Sequence, residues 1–389
     1  MPESAGVEKP LVIYIIAGEA SGDLLGAHLM QSLKKQSPRP IIFYGVGGDK
    51  MTAEGMDSLF PYYELSMMGF VEILPYAFNL LSRIGLTVED IRAKAPDIVI
   101  TIDSPGFCFR VVKKLREYKL HSKFVHYVAP TVWAYKPERA EKCAALFDHM
   151  LVLLPFEPPY FTSKGLPCTF VGHPVVAETQ TGNGDAFREK YNITKDTLLL
   201  CVLPGSRKGE VDRHMPIFGR AITMLAQKYP SLAMVVAVPR HVLPFVVDYF
   251  EGCPFRTVIT ADEMDKKNAI AASNLAIVKS GTVALEVAMC KTPMVVGYRV
   301  NPLSAWMMKR MITTKYANLI NILLNNEVIP ELLQEHCTPL MLANAASNLL
   351  QYPELQTQQR ESAIQALSLL NPTRPPSDLA AQTLLDMVK

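Results

Sequence analysis

Leu11-Val12-Ile13-Tyr14-Ile15-Ile16 runs without a break into Ala17-Gly18-Glu19-Ala20-Ser21-Gly22-Asp23, and this junction decides the fold. A run of β-branched, aromatic and leucine side chains with no polar face predicts a strand buried on both sides, as in a parallel sheet. The small residues end it. Gly18 and Gly22 let the backbone pass close to a neighbour, Ser21 or Asp23 is suited to capping, and Leu24 to Leu33 has the apolar spacing of a helix. In a doubly wound sheet, ligands sit beyond the carboxyl ends of the strands, so such a turn is also a place for a ligand. Tight packing explains the glycines equally well, but it leaves the Glu19 carboxylate unexplained.

The alternation continues along the chain. Pro40 to Val46, Asp97 to Ile102 and Lys123 to Val128 read as strands, while Gly47 to Gly55, Leu65 to Ile84 and Phe107 to Tyr118 read as turn or helix. It resumes with Leu198 to Leu203, Ala233 to Val238, Thr257 to Thr260, Leu275 to Val278 and Pro293 to Val296, each run separated by helical pattern. A βαβα order predicts parallel sheets covered by helices on both faces, hence an α/β protein of two Rossmann-like domains. At 389 residues the chain exceeds one ordinary core. The boundary falls near Val175 to Gly184, where Gly182-Asn183-Gly184 replaces the apolar runs, giving domains over residues 1–175 and 185–345 and closing helices over 346–389.

Composition excludes several classes. With 49% hydrophobic and 20% charged residues the chain is globular, and a net charge of +2 without a basic block gives no case for nucleic acid. The opening MPESAGVEKP is acidic and lacks an apolar core, so it is not read as a secretory signal, and no apolar run reaches bilayer length. Seven scattered cysteines without CxxC spacing point to reduced thiols in the cytoplasm rather than a zinc site.

Four places carry chemistry. Asp103, in Asp103-Ser104-Pro105-Gly106-Phe107, stands at a strand's carboxyl end, where a carboxylate can take a proton from a hydroxyl or, alternatively, cap a helix. His126-Tyr127-Val128-Ala129-Pro130-Thr131-Val132-Trp133-Ala134-Tyr135 gathers an imidazole and large rings that suit a sugar or acyl chain as well as a core. Pro204-Gly205-Ser206-Arg207 is a glycine turn with a hydroxyl and a guanidinium, fit for a diphosphate, though it is no P-loop. Ser280-Gly281-Thr282 opens a helix with Glu286 one turn on, able to offer amides to phosphate and a carboxylate to ribose. No Asp-x-Asp triplet occurs, so no metal is expected at the leaving group.

AGEASGDLLGA (17–27), IDSPGF (102–107), HYVAPTVWAY (126–135), LLPFE (153–157), FVGHP (170–174), VLPGSRKGEV (202–211), SGTVALE (280–286) and PMVVGYR (293–299) follow one another in the order of the lipid A disaccharide synthases, which the chain closely resembles. The resemblance implies a glycosyltransferase B fold whose two domains face a cleft, with C-terminal helices crossing back to the first. It implies an inverting, metal-independent transferase without a cofactor. The donor would be UDP-2,3-diacylglucosamine and the acceptor 2,3-diacylglucosamine 1-phosphate, giving a β-1',6-linked disaccharide and UDP. Asp103 and Glu19 would be catalytic; Ser21, His126, Ser206, Arg207, Ser280, Gly281, Thr282, Glu286 and Asn321 would bind substrate. The family's DxPDF pattern has Gly106 here in place of its second acid. Other readings on the same residues are a different lipid-linked UDP-sugar transferase, a UDP-sugar epimerase or a non-catalytic nucleotide-sugar binder. Acylated substrates also imply peripheral attachment to the cytoplasmic face of the inner membrane, through Leu65 to Ile84 (with Met67, Met68, Phe70 and Phe78) or Trp306 to Met311. A homodimer is compatible with this reading.

Overall fold

The computed structural model describes residues 9–66, 73–177, 181–250, 253, 255–301, 305 and 311–389. The chain divides into two compact units, Met1–Ala177 with Leu370–Lys389 and Glu178–Leu369.

The first unit holds seven strands: β1 (Leu11–Ala17), β2 (Ile41–Val46), β3 (Asp57–Ser58), β4 (Ile98–Ile102), β5 (Lys123–Tyr127), β6 (His149–Val152) and β7 (Cys168–Phe170). Every pairing is parallel, in the order β3-β2-β1-β4-β5-β6-β7. The unbroken apolar run of β1 has its reason in two cores. Leu11, Ile13, Ile15 and Ala17 point into one, Tyr14 and Ile16 into the other. Each such fully buried large side chain is worth roughly 1.5–3 kcal/mol. Tyr14 can join this set because its hydroxyl donates to Asp90 at 2.9 Å, which satisfies the polar atom at the edge of the core.

The second unit repeats the plan with β8 (Leu198–Leu203), β9 (Leu232–Ala237), β10 (Arg256–Thr260), β11 (Leu275–Lys279), β12 (Met294–Tyr298) and β13 (Glu331–Leu333). Its order is β10-β9-β8-β11-β12-β13, again parallel throughout. Both sheets therefore reverse direction next to their first strand, between β1 and β4 and between β8 and β11. A crevice opens at each reversal, since the connections leave to opposite faces.

The chain's end returns to the first unit. The helix Pro376–Asp386 buries Ala380, Ala381, Leu384 and Leu385 in the same core as β1 and β4. Ser32 Oγ donates to Asp378 Oδ1 at 2.7 Å and Gln36 Nε2 to the Asp378 carbonyl at 3.0 Å, fixing it to the helix Ala20–Gln36. The return begins later than residue 346, because Pro339–Gln351 and Pro353–Leu369 belong to the second unit. The opening helix starts at Ala20 rather than Leu24, and Glu19 takes its N-cap position. Asp23 does not cap it. Its carboxylate accepts the amides of Gly48, Lys50 and Met51 at 2.8–3.1 Å and holds the start of the helix Asp49–Ala53. Pro75 lies in the first turn of the helix Ile73–Lys94, where a missing N–H costs nothing. Met67, Met68, Phe70 and Trp306 to Arg310 lie outside the described residues, as does the side chain of Phe78. Among the described residues no helix is long and apolar enough to cross a membrane.

Candidate active site

In the first unit, the loops after β1 and β4 meet at the sheet's reversal. Ala17 and Ile102 are paired in register, so Gly18 and Asp103 leave the sheet side by side. A Cβ on Gly18 would fall 2.5 Å from Ser104 Oγ, so a larger residue would have to displace that hydroxyl. Asp103 and Ser104 both adopt left-handed φ, 50° and 45°. Such conformations cost roughly 1–3 kcal/mol each and persist only where their surroundings impose them. Asp103 is half-buried, its amide donates to the Tyr127 carbonyl at 3.0 Å, and Ser104, not Asp103, is the N-cap of the helix Pro105–Arg116. Ser104 holds the N-cap position without a side-chain hydrogen bond to the helix. Glu19 and Ser21 are exposed on the adjoining loop and first helical turn. Gly106 is exposed too, and a Cβ there would meet nothing within 4 Å.

The loop after β5 is strained and pinned as well. Val128 has φ 74°, an outlier for a β-branched residue. Trp133 is 8% exposed and its Nε1 donates to Glu157 Oε1 at 3.0 Å, while Glu157 Oε2 accepts the amides of Leu153 and Leu154 at 3.1 and 2.9 Å. One buried carboxylate thus joins the exits of β5 and β6. Burial pushes Glu157 up to about 7 despite these three donors.

His126 does not belong to the site. It is wholly buried between Phe109 and Phe147, both at 5.0 Å between ring centroids, with Nδ1 2.7 Å from Thr101 Oγ1. Burial pulls it down to about 3, so it is a neutral core ring.

In the second unit, the loops after β8 and β11 meet at the other reversal, with Leu203 and Val278 in register. Glu210 links them. Its Oε1 lies 3.0 Å from Lys279 Nζ and its Oε2 accepts the Ser206 amide at 3.0 Å. Gly205 has φ +131°, and a Cβ there would collide with Glu210 at 2.6 Å. Although burial alone would raise Glu210, the Lys279 ammonium and the Ser206 amide outweigh it, and Glu210 titrates below the usual carboxylate range. Arg207 and Ser206 are exposed on this loop. Ser280 Oγ donates to the Ala317 carbonyl at 3.0 Å, so that hydroxyl serves the backbone, whereas Thr282 is exposed and Gly281 half-exposed at the turn. The helix Val283–Met289 spans seven residues, a weaker dipole than a longer helix would supply. Glu286 lies 2.9 Å from Lys266 Nζ, an ammonium that also reaches Glu263 at 2.8 Å.

Asn321 is the second residue that leaves the substrate set. It is fully buried; Nδ2 donates to the Ile329 carbonyl at 2.8 Å and to Glu331 Oε1 at 2.6 Å, and Oδ1 accepts the amides of Val328 and Ile329 at 2.9 Å each. All four hydrogen-bonding capacities of the amide are used by the protein, so none remains for a ligand. No group of three metal-ligating side chains occurs among the described residues.

A family model described as lipid-A-disaccharide synthetase matches residues 13–381. The lipid-A-disaccharide synthase of Rhodospirillum centenum is 44% identical over 382 residues, covering 98% of this chain and 95% of the relative. That of Rickettsia bellii is 42% identical over 346 residues, covering 88% and 89%. Among solved structures, an S. aureus MnaA complex with UDP superposes with a TM-score of 0.68 at 14% identity, covering 97% and 96% of the two chains. Acinetobacter baumannii MurG gives 0.55 at 12%, covering 97% and 99%. These distant likenesses establish a two-domain α/β fold shared with glycosyltransferases and epimerases, and the close relatives establish more: the chain belongs to the lipid-A-disaccharide synthase family.

Proposed function

We propose that the protein joins two acylated glucosamines, moving the sugar of UDP-2,3-diacylglucosamine onto 2,3-diacylglucosamine 1-phosphate. The observation that carries this reading is the placement of the matching motifs at both sheet reversals, a carboxylate pair at β1/β4 and a cationic glycine turn at β8/β11. Asp103 takes the proton of the acceptor's 6-hydroxyl as that oxygen attacks the anomeric carbon. The bond from that carbon to the UDP oxygen breaks on the opposite face, so the centre inverts to a β-1',6 linkage. Arg207, Lys279 and the loop amides meet the charge that grows on the departing diphosphate in place of a divalent cation. Glu286 accepts from the ribose hydroxyls. Ser206 on the loop after β8 and the Gly281 backbone and Thr282 on the turn after β11 line the diphosphate; Glu19 and Ser21 face the acceptor beside Asp103.

The substrates' acyl chains must leave a bilayer, so the first unit is proposed to rest on the cytoplasmic face of the inner membrane. Tyr63 and Leu81, 59% and 55% exposed on either side of residues 67–72, support that orientation. Purified protein with donor in excess EDTA should release UDP only when acceptor is added. UDP release without acceptor, or activity that returns only with magnesium, would contradict the proposal.

A further inference from the structure

The helix Lys208–Lys228 carries a side chain that the proposed chemistry has not used. His214, in its second turn, is fully buried. Its Nε2 accepts the Arg299 amide at 3.1 Å and its Nδ1 lies 3.1 Å from the Pro204 carbonyl. An amide only donates and a carbonyl only accepts, so a single neutral tautomer, protonated on Nδ1, satisfies both contacts. The ring is held flat between Tyr298 and Phe218, at 5.8 and 5.5 Å between centroids with interplanar angles of 25° and 34°.

Pro204 follows β8 and begins the loop with Ser206 and Arg207; Arg299 follows β12. These strands are not neighbours, since β11 runs between them. The imidazole therefore ties together two exits that no sheet hydrogen bond connects. Glu210, one turn earlier on the same helix face, holds the exit of β11 through Lys279. One face of one helix fixes all three exits.

We propose that His214 is a positioning residue for the diphosphate, setting the backbone of Pro204 to Arg207 against that of Arg299 so that Arg207, Lys279 and Arg299 converge on one anion. This rests on the reading of the β8 loop as the diphosphate site. His214→Phe keeps the stacking and loses both hydrogen bonds, whereas His214→Gln retains one donor and one acceptor.

The test measures UDP binding by calorimetry and steady-state kinetics for the wild type, both His214 variants and Arg207→Ala. Expected are a UDP Kd and donor KM at least tenfold higher for Phe with a lowered kcat, acceptor KM within threefold, and recovery to within threefold of wild type for Gln. If Arg207→Ala weakens UDP but His214→Phe does not, the positioning role is overturned. Unchanged UDP binding in Arg207→Ala overturns the underlying assignment of the loop instead. Should the Phe variant fail to fold, hydrogen exchange on the wild type decides. UDP should protect the amides of Gly205 to Arg207 and of Arg299 together, and protection of the first group alone would overturn the proposal.

Discussion

Asn321→Ala separates a structural asparagine from a substrate contact. Four hydrogen bonds disappear, and the alanine leaves the amides of Val328 and Ile329, the Ile329 carbonyl and one oxygen of Glu331 short of their partner. At a net value of about 0.5–1.5 kcal/mol per bond, the loss is about 2–6 kcal/mol. The damage also spreads, because Glu331 accepts the amides of Ala317 and Asn318 at 2.7 and 2.9 Å and so carries the loop that Ser280 leans on. For a unit of this size each kcal/mol moves the midpoint by roughly 2–4 °C, so a loss of about 3 kcal/mol lowers the second unit's Tm by about 6–12 °C. Differential scanning calorimetry with and without UDP is the assay. The variant should melt early, yet bind UDP within about threefold at a temperature where it is folded. An unchanged Tm with a tenfold higher donor KM would refute the reasoning and return Asn321 to the substrate set.

Further outcomes follow from other residues. Gly106→Asp meets no steric obstacle and places an acid in the first turn of a helix, so it should stabilise the protein by about 0.5–1 kcal/mol with activity within a few-fold; marked destabilisation in urea unfolding would contradict that. His126, His173 and His214 are held down to about 3, 4 and 4 by burial, so the unfolded chain binds more protons as pH falls below about 6.5. Each should cost about 2 kcal/mol of stability between pH 7 and pH 5, a loss that deepens toward the folded value. His126→Phe should remove one such share, and an unaltered slope would speak against it. Tyr63→Ser with Leu81→Ser should free the protein from anionic vesicles in flotation while turnover of a short-chain soluble donor is spared; loss of that turnover would mark a folding role instead.

The sheets were legible because a strand covered on both faces leaves an unbroken apolar run, as in LVIYII and LLLCVL. β3, β7 and β13 were not, being two or three residues long and anchored at the edge of each sheet by pairing rather than by their own pattern. β6 was hidden because MLVLLPF shows no end to its apolar run. Among polar residues, spacing cannot tell an exposed site group from a satisfied core group. Asn321 looked like a ligand, yet its partners are Val328, Ile329 and Glu331, and His126 lies buried between Phe109 and Phe147 with Nδ1 on Thr101 and Nε2 unpaired among the described residues. The reverse error hid Glu157, Glu210 and His214. Glu157 reaches Trp133 24 residues back, Glu210 reaches Lys279 across the strand exits, and His214 reaches Arg299 85 residues on. Such pairs exist only after the strand ends have been brought together. LLPFE and VLPGSRKGEV nevertheless contained two of these carboxylates, which was the available signal.

The most direct test of the account is a comparison of turnover and UDP binding in Asp103→Ala. Asp103 lies beside Gly18 at the β1/β4 reversal and is assigned only the acceptor's proton. In this variant kcat should fall by about 10² or more while UDP Kd stays within about threefold, the range expected for a lost general base. A folded Asp103→Ala protein with near-normal kcat, or one whose only defect is UDP affinity, would contradict it.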